Sequence, residues 1–156
     1  MRELVDGGVA TLARVDPILP GVTDDPDTMH GLCAALAAAG IREIAAGVLV
    51  LRPEQMNGLR YMLDRPLLFR RLKQQFDKGR SVRLPGFSSA VRVLPVAHRR
   101  RIFQWLTTIA GQHGICVHVC GCKNPDMDSH VGVESCKLAG QWSPPEVIER
   151  QLGLFA

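Results

Sequence analysis

Apolar residues along this chain fall into two alternating rhythms, short continuous runs and longer stretches spaced by three and four. "VATLARVDPIL" is the first continuous run, and it reads as a buried strand passing into a loop. Pro17 and the Pro20-Gly21 pair oppose its continuation as a central strand, since proline has no N–H for a ladder. "TDDPDT" then carries helix-start chemistry: Asp25 to cap, Pro26 for the first helical position, and Asp27 to complement the positive helix end. Met29, Leu32, Cys33 and Leu36 follow at i, i+3, i+4 and i+7, which predicts one buried helix face. Gly40 suits the left-handed residue after the helix. Cys33 on that face reads as a small core hydrophobe.

The second run, "IREIAAGVLVLRP", is apolar from Ala45 to Leu51 and predicts a strand covered on both faces. Pro53 opens another helix, with Met56, Leu59 and Leu63 on its buried side. After Pro66, the residues Phe69, Leu72 and Phe76 mark a basic helix closed by Gly79. "SVRLPGFSSAVRVLP" reads as a loop-rich connection. In "VAHRRRIFQWLTTIAGQHG", Ile102, Phe103, Leu106, Ile109 and Ala110 share one face of a helix, and "ICVHV" completes the series as a third strand. Strands alternating with helices through short links predict an α/β fold of parallel βα units. The expected division is residues 1–65 as a βαβα portion. Residues 66–156 then hold a basic helix, the last helix–strand pair and a cysteine-rich tail, within one domain overall. Three strands make a poor parallel sheet with exposed edges, so the pattern reads as the back portion of a larger architecture.

Composition narrows the class. The chain has 156 residues, of which 46% are hydrophobic and 22% charged, enough for a folded core and against wholesale disorder. No apolar run reaches the ~18 residues of a membrane span. The start, "MRELVDGG", lacks signal-peptide regions, so the expected location is cytoplasmic, where thiols stay reduced. Five cysteines, an odd count, also fit a disulfide framework poorly. The net charge of +4 is uneven. From Pro66 to Trp105 there are ten Lys or Arg residues and one acid, Asp77, a stretch able to track a phosphate backbone or simply to form a solvated face. His30, His98 and His113 read as isolated surface or satisfied histidines. No phosphate-binding loop, dinucleotide fingerprint or nucleophile elbow is present.

The densest chemistry is in "GICVHVCGCKNPDMDSHVGVESC", residues 114–136, with four of the five cysteines. Alternation puts Cys116, His118 and Cys120 on one strand face. Alternate strand residues stand ~6.5–7 Å apart, wide for two ligands of one zinc, but Gly121 permits a bend that lets Cys120 and Cys122 chelate together. Cys136 is the candidate third thiolate, and Cys116, His118 or His130 the fourth ligand, for zinc or an iron–sulfur cluster. Two other readings stand beside this: thiols at a strand end with no ligand, and a reversible Cys120–Cys122 pair closing a small, strained ring.

The run "LARVDPILPGVTDDPDTMHGLCAALAAAGIREIAAGVLVLRP" resembles the later barrel strands of radical S-adenosylmethionine enzymes, above all the spore photoproduct lyase-like group. That group shares an "R-x-DP-x-x-PG-x-x-D" strand end, an acid-rich helix start, then "GI" and an apolar strand. "CGCKNPDM…GVESCKLAG" is similar to cysteine-bearing tails of some radical enzymes. The resemblance implies the C-terminal part of a partial (β/α) TIM-like barrel, lyase-like chemistry, S-adenosylmethionine and an iron–sulfur cluster as cofactors, and an N-terminal half or subunit as partner. The family's CxxxCxxC cluster loop does not occur here, so the chain is expected to be inactive alone. In such barrels ligands lie at strand C-terminal ends, which carries Arg14, Asp16, Pro17, Val50 and Arg52 over as candidate cofactor-binding residues. Arg14 and Asp16 point the same way in a strand, and they read equally well as a structural ion pair. The rival expectation is a small non-catalytic zinc-binding interaction module that requires only the Cys120, Cys122, Cys136 cluster, with Cys116 a candidate further ligand, and the basic face, through which it would touch nucleic acid.

Overall fold

Three parallel strands carry the architecture in the computed structural model, which describes residues 1–62, 65–84, 87–127 and 133–134. A short helix α1 (Arg2–Asp6) precedes strand β1 (Ala13–Ile18), helix α2 (Pro26–Ala38) and strand β2 (Glu43–Val48). Helices α3 (Pro53–Met62) and α4 (Pro66–Asp77) follow, then strands β3 (Arg80–Val82) and β4 (Val91–Val93). Helix α5 (Val96–Gln112), strand β5 (Cys116–Cys120), a 3-10 turn (Gly121–Lys123) and the two-residue β6 (Val133–Glu134) complete the described order.

The main sheet runs β1-β2-β5-β6 with every pairing parallel. Strands of one sheet met in chain order through right-handed crossovers place their helices on one face. One core follows from this. Ile44, Ala46 and Val48 of β2 and Val117 and Val119 of β5 are buried in the same cluster as Cys33 of α2, Phe76 of α4 and Phe103 of α5. That cluster crosses the 65/66 boundary, so the two portions share a hydrophobic core.

Local rules explain the first βαβ unit. The Asp25 side chain accepts a hydrogen bond from the Thr28 N–H at 3.0 Å, and Pro26 takes the first helical position. Met29, Cys33 and Leu36 are buried, whereas Leu32 is 37% exposed. At 100° per residue, Leu32 falls at the margin of the stripe that the other three centre. Gly40 has φ +84°, and a Cβ there would stand 2.8 Å from Val5 Cγ1, so α1 packs against the turn through a position only glycine fills comfortably. Pro17 lies inside β1, at a register shift between Val15 and Ile18, following a cis Asp16–Pro17 peptide. It is accommodated because β1 is an edge strand, paired with β2 alone among the described residues.

Two expectations change. The segment read as a loop-rich connection contains an antiparallel pair, Arg80↔Val93 to Val82↔Val91, extended by a bridge between Leu51 and Arg92. It buries Val91, Val93 and Leu84 with Val50 in a satellite cluster. Strands of three residues are too short for alternation to announce them. The second change concerns β2. Its helix-side face is apolar as expected, but its other face consists of Glu43, Ala45 and Gly47, which belong to no hydrophobic cluster among the described residues.

Candidate functional site at the strand C-terminal ends

The face of the sheet away from the helices is polar. The register aligns Arg14 with Ala45 and Ala45 with His118, and Glu43 with Cys116. Asp16, Gly47 and Cys120 continue the same phase toward the C-terminal ends of their strands. His118 Nε2 lies 3.1 Å from Glu43 Oε2, a pair crossing from β5 to β2.

Asp16 is the centre of this face. Its side chain is only 3% exposed. It lies over Gly47, where an added Cβ would come within 2.7 Å of its Cγ. The absent side chain on the middle strand opens a path from β1 to the turn after β5. Through it Lys123 Nζ donates to Asp16 Oδ1 at 2.8 Å and Oδ2 at 2.6 Å. Arg14 donates from the same strand, Nε at 3.0 Å and Nη2 at 2.6 Å, both to Oδ2. Burial pushes the Asp16 carboxyl up, but the hydrogen bonds from Lys123 and then Arg14 outweigh it, and the group stays below the ordinary carboxylate range. The result is a desolvated carboxylate held by two cations at the rim.

Lys123 is placed by a second, fully satisfied network. Arg99 of α5 is 2% exposed. Its Nε donates to the Leu94 carbonyl at 3.0 Å, Nη1 to Asn124 Oδ1 at 2.7 Å and Nη2 to Asp126 Oδ2 at 2.5 Å. Asn124 Nδ2 in turn donates to the Cys120 carbonyl at 2.8 Å, and Arg80 Nη2 donates to Asp126 at 2.6 Å. A planar guanidinium with a fork of donors is suited to three acceptors at once. This clamp fixes the "GCKNPD" segment against the end of β5. The Asp126 carboxyl is pushed up by burial and brought below its ordinary value by Arg99 and Arg80 together.

The turn that carries Lys123 also folds Cys122 back on Cys120. Their sulfurs lie 2.8 Å apart, Cys120 buried and Cys122 half-buried. Cys116 is exposed at the other end of β5, four residues and hence ~13 Å of extended strand from Cys120. Cys136 and His130 lie outside the described residues. Among the described residues no group of three or more His, Cys, Asp or Glu side chains converges to hold a metal ion. Two thiols therefore stand together, and a complete donor set would need a further ligand. The activating cluster of a radical enzyme does not fit this chain: CxxxCxxC is absent, and Cys116 and Cys120 sit at opposite ends of one strand.

The other candidate residues are engaged elsewhere. Val50 packs with Leu84, Val91 and Val93 beside the β3–β4 pair, and the Arg52 guanidinium lies 5.2 Å from the Phe87 ring centroid. Pro17 is exposed on the edge strand. His30 and His113 are not isolated: His30 Nδ1 and His113 Nε2 approach to 3.3 Å, joining α2 to the end of α5.

Two side chains of the candidate site escape the sequence reading. Arg99 sits at i−3 and i−4 from Ile102 and Phe103, so its place on the apolar stripe was visible although its charge argued for solvent. Lys123 is 107 residues from Asp16, and nothing in local sequence links them. Comparisons with protein families, with curated proteins and with solved structures return no match.

Proposed function

We propose that this chain is the C-terminal portion of a radical S-adenosylmethionine, iron–sulfur enzyme resembling spore photoproduct lyase, with catalysis requiring an N-terminal half. The observation that carries the reading is the Asp16–Lys123–Arg14 cluster at the C-terminal ends of parallel strands laid down in chain order. Barrels of βα units place their ligands at that end. A sheet with helices on one face and charged or small residues on the other matches a barrel wall and its interior. In this reading residues from Arg14 to Lys123 form part of the wall and rim, and the missing strands come from further chain or a separate subunit. The Cys120–Cys122 pair, with Cys136, holds an auxiliary iron–sulfur cluster. A cytoplasmic setting belongs to the proposal, because such thiolates need reducing surroundings. No helix among the described residues is long and apolar enough to cross a membrane.

The activating cluster supplies reductive cleavage of S-adenosylmethionine when present, and this chain lacks the residues for it. The test is 5′-deoxyadenosine formation with dithionite after anaerobic reconstitution with iron and sulfide. No product is expected from the 156 residues alone. Product is expected after adding a polypeptide that carries CxxxCxxC and the missing strands. Turnover by the isolated chain overturns the proposal, as does silence from the mixture.

The approach of the Cys120 and Cys122 sulfurs favours a second reading, a non-catalytic zinc module. Its basic face would be α4 with its N-cap, where Arg65, Arg70, Arg71 and Lys73 are exposed, and its partner a nucleic acid. Metal analysis after anaerobic purification separates the two. Zinc with no visible absorption supports the module, and a brown protein absorbing near ~400 nm supports the enzyme.

A further inference from the structure

We infer that Cys120 and Cys122, when no metal holds their sulfurs, form a reversible dithiol–disulfide couple that exchanges with small-molecule disulfides, so that metal binding and disulfide formation exclude each other. A Cys-Gly-Cys segment in an unordered chain closes a disulfide poorly, because the small ring must be bent into shape. Here the fold has already bent it. Extended strand geometry would hold alternate side chains ~6.5–7 Å apart, yet the turn at Gly121–Lys123 brings the sulfurs to 2.8 Å. Both flanks are pinned. The Cys120 carbonyl is held by Asn124, itself held by the buried Arg99. On the other side Lys123 is tied to Asp16 across the sheet. The order that ring closure would otherwise impose is thus part of the folded state, which favours the intramolecular bond.

Exposure divides the roles. Cys122 is half-buried and reachable, while Cys120 is 6% exposed. The Cys122 thiolate attacks one sulfur of a disulfide RSSR. The S–S bond breaks, one RS⁻ departs and takes up a proton, and a Cys122–S–S–R mixed disulfide remains. The Cys120 thiolate then attacks the Cys122 sulfur and displaces the second RS⁻. Overall the two protein thiols lose two electrons and two protons, and RSSR becomes two RSH. Neither of the other described cysteines competes. Cys33 is enclosed in the core, where burial pushes its thiol up. Cys116 stands at the far end of β5.

The experiment equilibrates the full reduced chain, anaerobically and with chelator, in buffers of glutathione and glutathione disulfide. It then alkylates and maps the peptides. Oxidation is expected to remove two alkylation adducts, both from the segment holding Cys120 and Cys122, and to do so equally in Cys136→Ser. Cys120→Ala is expected to retain glutathione on Cys122, because the resolving sulfur is gone. A bond involving Cys136, Cys116 or Cys33 overturns the inference. So does glutathione retained on Cys122 in the unaltered protein, or full alkylation at every ratio. None of these readouts depends on deoxyadenosine formation or on bound metal, so the proposed function stands or falls separately.

Discussion

Asp16 and Gly47 share one row of the sheet, and the carboxylate of the first occupies the space where a side chain of the second would stand. That relationship ties the edge strand to the turn after β5 through Lys123. It predicts that Gly47→Ala is destabilising. A Cβ 2.7 Å from Asp16 Cγ forces the carboxylate aside and separates it from Lys123. Overpacking of this kind costs about 1–3 kcal/mol, measurable by urea denaturation. Asp16→Ala clears the same space, so the double variant should be more stable than the sum of single effects implies. Additive losses would show that the two residues do not compete.

Arg99→Ala should be among the most damaging substitutions in the chain. It leaves the Leu94 carbonyl, Asn124 and Asp126 without their shared donor in a buried setting. Removing one partner of a buried charged network costs about 3–5 kcal/mol. Arg99→Lys should lose much of the same amount, since a single ammonium cannot reproduce the guanidinium fork. Thermal and chemical unfolding check both. A loss under about 0.5 kcal/mol for Arg99→Ala, the range of ordinary surface changes, would mean the clamp is not structural.

Much of the scaffold could be read from local chemistry, and the site only in part. The Asp25 cap, Pro26 and the Met29–Cys33–Leu36 stripe act over a few residues, so the pattern announces α2 with its correct start. The runs behind β1, β2 and β5 are long enough to announce strands. The Arg14–Asp16 pair follows from a spacing of two on one strand. What sequence could not supply was anything assembled across the fold. The β3–β4 pair has three residues a side, and its burial depends on Leu51 and Val50 arriving from elsewhere. Lys123 meets Asp16 across the middle strand, where Gly47 leaves room for the carboxylate. Arg99 carries a charge that its stripe position contradicted, and the partners that resolve the conflict lie 25 and 27 residues away.

Acid should weaken this protein through the same two carboxylates. Asp16 and Asp126 both titrate below the ordinary value of 3.8 in the folded state, because cationic hydrogen-bond partners outweigh burial. The unfolded chain binds these protons more tightly than the folded one. Their contribution is therefore fully present above the unfolded value and is lost as pH falls through the lower folded values. Unfolding free energy should decline steeply below about pH 4. Asp126→Asn should start less stable and decline less steeply, having one fewer linked proton. Equal acid slopes for the two proteins would remove Asp126 from the linkage.

The thiols separate structure from ligation. Cys33 is fully buried in the main hydrophobic core, and Cys120 and Cys122 lie together at the site. Cys33→Ser places a hydroxyl in an apolar setting without a partner, at a cost of about 1–3 kcal/mol. It should leave metal content per folded molecule unchanged. Cys120→Ser and Cys122→Ser should each lower metal content by more than half after anaerobic reconstitution, because a two-thiol chelate loses its bite when either sulfur goes. Cys116→Ser should leave it unchanged, being a strand length away. Cys136→Ala tests the third ligand and should match the Cys120 and Cys122 variants. The measurement is elemental analysis on the folded, monodisperse fraction, with unfolding midpoints taken in parallel. Equal metal loss in Cys33→Ser and Cys122→Ser would mean that metal content tracks stability alone, and the ligand assignment would fail.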